Sequence, residues 1–154
     1  MTVDVRRAGE GDHAALAALA WHWRVEEWGG TPEMERREFE ERLRAWTGGH
    51  HDTHRAFIAV VDGAAAGMAW LAVTDRVPSP ARWARRAGTL QSAFVKPALR
   101  NRGVGSALVV AVLEDARRLD LDYVTVHPSE RSAALYRRHG FSATGHFLEL
   151  ELRL

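Results

Sequence analysis

The chain has 154 residues, enough for one buried core, and its 46% hydrophobic and 27% charged residues are those of an ordinary globular protein. Lys and Arg number 21 against 20 Asp and Glu, and a net charge of +1 argues against a nucleic-acid binder resting on a broad basic face. There is no cysteine, which excludes disulfides, thiolate metal sites and cysteine nucleophiles, and no apolar run approaches the roughly 20 residues of a membrane span. With no apolar signal-peptide core at the N-terminus, a cytoplasmic protein without membrane or nucleic-acid partners is expected.

In chain order, "VDVRRA" alternates and reads as a first strand. Residues 10–28 have helical spacing, with Asp12 a plausible N-cap and Leu16, Leu19 and Trp23 on one stripe. "GGTP" breaks that helix; Thr31 as N-cap and Pro32 at the first helical position open a second, carrying Phe39, Leu43 and Trp46. "AFIAVV" and "AAAGMAWLAVT" flank Asp62-Gly63, whose residue types suit the positive dihedrals of a two-residue hairpin turn. A loop marked by two prolines, "DRVPSPARWARRAG", leads to a strand over 89–95. A helix follows from Val104, then a strand over 121–127, which a right-handed crossover would make parallel to its predecessor. Ser129 caps a short helix that Gly140 stops. "FLELELRL" alternates strictly, so Leu148, Leu150, Leu152 and Leu154 share one face of a predicted last strand. One α/β domain (α+β in type) with a mixed sheet is expected over 1–154.

The segment "FVKPALRNRGVGSALVVAV" puts three basic side chains and two glycines before an apolar helix. The first turn of a helix leaves about four unpaired N–H groups and a partial positive charge that favour an anion. Gly103 and Gly105 permit close approach, while Arg100 and Arg102 add charge suited to phosphate oxygens. A solvated glycine turn is the bland alternative. A P-loop is excluded because no lysine follows the glycines, and a dinucleotide fingerprint because its third glycine position is Leu108. The run of His50, His51 and His54 lies in a turn-rich loop that does not preset metal ligands, so no metal is expected.

Arg100-x-x-Gly103-x-Gly105, followed by Leu135-Tyr136 and Gly140-Phe141, resembles the GNAT family of N-acetyltransferases over roughly residues 55–152. The resemblance implies a mixed, mostly antiparallel sheet of about seven strands with about four helices, and acetyl-CoA held where two parallel strands splay apart. It implies that the backbone of Phe94 and Val95 pairs with the pantetheine arm. The pyrophosphate would lie on amides from Arg102 through Val104, Gly105 and Ser106, flanked by Arg100, Asn101 and Arg102.

Tyr136 matches the family's usual general acid, where residue chemistry alone leaves a packed ring as the alternative. Ser129 stands where the family often has a pantetheine-contacting Asn, and Ser132 where it commonly has Ala. Gln91 stands where many members carry a catalytic Glu, and an amide cannot take the amine's proton. His127, Glu26, Glu27 and a water remain as bases, His127 having a side chain suited to the work. The segment with Glu26, Glu27 and Trp28 is expected to wall the acceptor pocket, an aromatic face and carboxylates suiting a small primary amine. Core packing of the tryptophans and solvated glutamates are the alternative. The arginines of residues 75–88 either grip the 3′-phosphate or lie in solvent. The expected activity is direct acetyl transfer to an amine; a catalytically weak acyl-CoA-binding regulatory module is the rival. The leucine-rich last strand and the tryptophans make a homodimer plausible.

Overall fold

The period-two and period-3.6 patterns become a single five-stranded sheet with helices on both faces in the computed structural model, which describes residues 1–153. The strands are β1 (Val3–Arg7), β2 (His54–Val61), β3 (Ala64–Asp75), β4 (Arg86–Val95) and β5 (Val124–Val126), lying side by side in chain order. All neighbours are antiparallel except β4 and β5, which the helical crossover makes parallel. The helices are α1 (His13–Trp21), α2 (Arg36–Gly49), α3 (Val104–Arg118) and α4 (Ala133–Arg138). Asp62 and Gly63 turn the β2–β3 hairpin at φ of 48° and 82°, as a type I′ turn requires.

Side chains alternate across the sheet and build two cores. On one face Phe57, Ala69, Leu71 and Leu90 meet Leu108, Val109 and Val112 of α3 and Tyr136 of α4. On the other, Ala56, Met68, Trp70 and Phe94 meet Leu16 and Leu19 of α1, with Leu43 of α2 packed alongside. The 3% exposed Asp115 joins α3 to the sheet, accepting Arg55 Nε and Nη2 at 2.5 and 2.9 Å. Burial alone would raise that carboxyl's pKa, but the Arg55 bonds and the charges of Arg55, Arg7 and Arg118 hold it below its ordinary value. Because the folded pKa is the lower one, the stabilisation is present above the unfolded carboxylate pKa of about 4 and is lost as pH falls through the folded value. The melting temperature of wild type should therefore fall more steeply than that of Asp115→Asn between about pH 5 and about pH 3. Parallel Tm curves for the two proteins would show that the pair carries no such linkage.

Four expectations are corrected. Five strands form rather than seven, and residues 142–153 are in none: alternation marks a face, but a strand also needs a hydrogen-bonding neighbour. Leu148, Leu150 and Leu152 are 100%, 81% and 86% exposed; Leu154 lies outside the described residues. The second helix begins at Arg36 rather than after Thr31, because Glu35 is still extended at ψ 153°. Asp12 does not cap α1 through its side chain; its carboxylate turns back to the Gly9 N–H at 2.7 Å and to Arg6 at 2.6 and 2.9 Å. Finally, α1 does not continue to Trp28 as an α-helix but widens into a π turn over His22–Glu27.

Candidate active site

The cleft begins with a fault in the sheet. Across β3, Met68 faces Phe94 and Trp70 faces Gln91, so Ala69 opposes the two residues Ser92 and Ala93. This β-bulge, with Ser92 at φ 50°, bends β4. The parallel ladder to β5 stops at Leu90–Val126, two residues before Ser92, whereas β4 runs on to Val95. Beyond the bulge the Lys96 N–H goes to Ala66 of β3 at 2.9 Å. Backbone directions alternate along a strand, so Val95 turns its N–H and C=O to the opposite edge, where no strand pairs and the carbonyl accepts Arg100 Nε. Phe94 itself is buried on the α1–α2 face, stacked 5.8 Å from Trp23.

The glycine loop closes the far end of that edge. Gly103 stands before α3 at φ 86°, and Asn101 at φ 60°. The first i→i−4 bond of α3 is Ala107 N–H to the Gly103 carbonyl at 3.0 Å, which leaves the N–H groups of Val104, Gly105 and Ser106 without an intrahelical partner. Gly105 is closely fitted: a Cβ there would lie 3.2 Å from a Leu135 methyl of α4, which would have to shift, and 3.9 Å from a Val95 methyl of β4. Asn101 and Arg102 are exposed, and the Ser106 hydroxyl is bonded to His139 Nε2 at 2.6 Å, tying the start of α3 to the end of α4.

Tyr136 reaches this region from α4. Gly140, at φ 95°, ends α4 with a Schellman pair of bonds: Phe141 N–H to the Tyr136 carbonyl and Gly140 N–H to the Arg137 carbonyl, both 3.1 Å. The turn swings Phe141 onto the Tyr136 ring, edge to face at 5.5 Å. Tyr136 is 5% exposed, burial raises its phenol pKa, and among the described residues its hydroxyl has no hydrogen-bond partner. Ahead of α4, Ser129 and Ser132 cap each other: Ser129 N–H donates to Ser132 Oγ at 2.9 Å and Ser132 N–H to Ser129 Oγ at 3.2 Å. His127, just past β5, is exposed, as is Gln91.

The π turn forms the opposite wall. Its i→i+5 bond, Trp28 N–H to the Trp23 carbonyl at 3.1 Å, brings the two indoles to 5.5 Å. Arg24 lies in the corner against both, its guanidinium carbon 3.7 Å from the Trp23 ring centre and 4.5 Å from that of Trp28. The cation that Trp28 receives is thus the protein's own. Glu26 pairs with His22 Nδ1 at 3.2 Å, and Glu27 accepts Arg100 Nη2 at 2.9 Å on both oxygens. Arg100 Nε also donates to the Val95 carbonyl at 2.9 Å.

Sequence reasoning missed Arg24, His22 and the Ser92 bulge. Only the spacing of Trp23, Arg24 and Trp28 hinted at the cage, and it reads as one only if the turn is π. The arginines of the 75–88 loop are largely met from within: Arg76 and Arg82 bind Asp122, and Arg86 Nη2 the Leu119 carbonyl at 2.6 Å. His50 stacks on Trp46 at 4.1 Å, with His54 edge-on to the same ring at 4.9 Å. No helix of the described residues is long and apolar enough to cross a membrane.

Solved structures share this architecture at low identity. A predicted acetyltransferase of Clostridium acetobutylicum, solved with acetyl-CoA, superposes with TM-score 0.77 at 19% identity, covering 98% of this chain and 97% of that one. A Trypanosoma brucei acetyltransferase gives 0.76 at 21%, covering 99% and 100%. Glucosamine-6-phosphate N-acetyltransferase of Arabidopsis thaliana gives 0.75 at 14%, also covering 99% and 100%. No curated protein matches the sequence. The sequence model of the Acetyltransferase (GNAT) family matches residues 15–141, which span the bulged strand, the glycine loop and the tyrosine helix, and the chain belongs to that family.

Proposed function

We propose that the chain transfers the acetyl group of acetyl-CoA to a primary amine, a small molecule rather than a protein, by direct attack in a ternary complex. The observation that carries this reading is the unpaired edge of β4, which ends at the three free amides of α3. An extended amide-bearing chain ending in a diphosphate fits both features: the edge offers strand-like hydrogen bonds, and the helix start offers N–H donors and a positive dipole end. Gly105 keeps that approach open between β4 and α4, where no larger side chain fits without displacing Leu135.

Acetyl-CoA supplies the activated acyl thioester; the chain supplies position and protons. In this reading Val95 aligns the donor through its edge N–H, and an N–H near the bulge polarises the carbonyl. Tyr136 protonates the departing thiolate: burial keeps its phenol protonated, and its hydroxyl has no competing partner among the described residues. His127 is proposed to take the amine's proton; its ring is exposed just past the end of β5, whose ladder to β4 stops at Val126. Ser129 and Ser132 hold the start of α4, while the π turn, with Gln91 on the sheet below, borders the acceptor.

A second reading, a weakly catalytic acyl-CoA-binding regulator, rests on Gln91: its amide occupies the β4 position before the bulge and cannot act as a base. Calorimetry with acetyl-CoA and a thiol-release assay over a panel of primary amines separate the two. Binding with turnover of at least one amine is the expected result. Binding without release for any amine would favour the regulator, and absence of binding would refute both.

A further inference from the structure

Glu27 and Arg100 belong by sequence to opposite sides of the cleft, one to the acceptor wall and one to the glycine loop, yet they are bonded to each other. Arg100 Nη2 meets both Glu27 oxygens at 2.9 Å, and the two side chains are only 19% and 22% exposed. The same guanidinium lies 5.6 Å from the Phe94 ring centre and donates through Nε to the Val95 carbonyl, the group that faces the unpaired edge. A ligand lying along that edge toward the amides of α3 therefore meets Arg100, and a diphosphate presents the same chemistry as Glu27: anionic oxygens that accept N–H bonds. Nη2 carries both Glu27 contacts, so a diphosphate that takes that Nη2 displaces the carboxylate.

We propose that Glu27 and the diphosphate of the acyl donor compete for Arg100, so that donor binding releases the Glu27 carboxylate toward the acceptor side, where it meets the ammonium group of the incoming amine. The proposal rests on the acetyl-CoA reading above. The backbone of the π turn is held by contacts that do not involve the Glu27 side chain. Its indoles clamp Arg24, and the Gly30 N–H holds the Arg24 carbonyl at 2.9 Å, where a Cβ on Gly30 would come within 2.7 Å of that oxygen. Glu26, held by His22, is not the carboxylate released. Donor and acceptor are thereby linked through one ion pair, each favouring the other's binding.

The test is calorimetric titration of coenzyme A into wild type, Glu27→Gln, Arg100→Gln and the double variant. A structural strut predicts weaker binding when Glu27 is altered; competition predicts the opposite sign. Glu27→Gln should bind coenzyme A about fivefold more tightly than wild type, the scale of one partly exposed ion pair. Arg100→Gln should bind more weakly, and the double variant should match Arg100→Gln because the competition no longer exists. Glu27→Asp, which keeps the charge but shortens its reach, should fall between wild type and Glu27→Gln and carries the test if the amide variant does not fold. Unchanged or weaker binding by Glu27→Gln overturns the competition, and so does a double variant tighter than Arg100→Gln by the same fivefold, which would signal a general charge effect. Failure of wild type to bind coenzyme A would bring down the acetyl-CoA reading along with it, whereas binding without the tightening overturns the competition alone.

Discussion

Replacing Tyr136 with Phe should lower kcat about a hundredfold, the lower range for loss of a positioned proton donor, while leaving the Kd for acetyl-CoA within about twofold of wild type. The substitution is clean for a structural reason. The ring supplies the packing, against Phe141 at 5.5 Å and within the α3 core, and phenylalanine keeps all of it. Among the described residues the hydroxyl has no partner that its removal would strand, so stability should be nearly unchanged. Any fall in kcat then reports chemistry. Burial raises the phenol's pKa, so it remains a donor beyond the pH at which an exposed tyrosine ionises, and the alkaline limb of kcat should be displaced upward accordingly. Steady-state kinetics over that range checks both points. Wild-type kcat in Tyr136→Phe would end the assignment of this residue as the acid.

Much of this arrangement was legible because it rests on residues with narrow conformational meaning. Asp62-Gly63 specified its hairpin turn, and Gly140 its helix stop. Val104, Leu108, Val112 and Ala116, at four-residue intervals in the sequence, line the buried face of α3. What escaped depends on partners. Ser92 gives no sign that it will adopt φ 50°, because the bulge is a mismatch between two strands and belongs to neither sequence alone. The same holds for residues 147–153, whose alternation could not say that no neighbour pairs with them. The expectation of a ligand cation beside Trp28 did not foresee that the π turn places Arg24 against that ring. Charged residues far apart in sequence, such as Glu27 and Arg100, become a pair only once the fold sets them face to face.

Gly103→Val should raise the acetyl-CoA Kd by about fivefold to about 150-fold, with kcat at saturating donor close to wild type, since about 1–3 kcal/mol of backbone strain converts to that range. The cause is conformational. Nothing in the protein lies within 4 Å of a Cβ built on Gly103, so bulk alone meets no obstacle there, but φ of 86° is a region that β-branched residues avoid. Valine forces the turn to rebuild, and the turn is what aims the N–H groups of Val104, Gly105 and Ser106. Tyr136 lies on α4 and is left in place, so the chemical step should survive once donor is bound. Gly103→Asn separates the two explanations, because asparagine tolerates positive φ while filling the same space. Binding near wild type for Asn and weak for Val, measured calorimetrically, identifies the dihedral as the requirement; equal damage from both means that the side chain itself meets the coenzyme. An unaltered Kd in Gly103→Val would remove the start of α3 from the donor site.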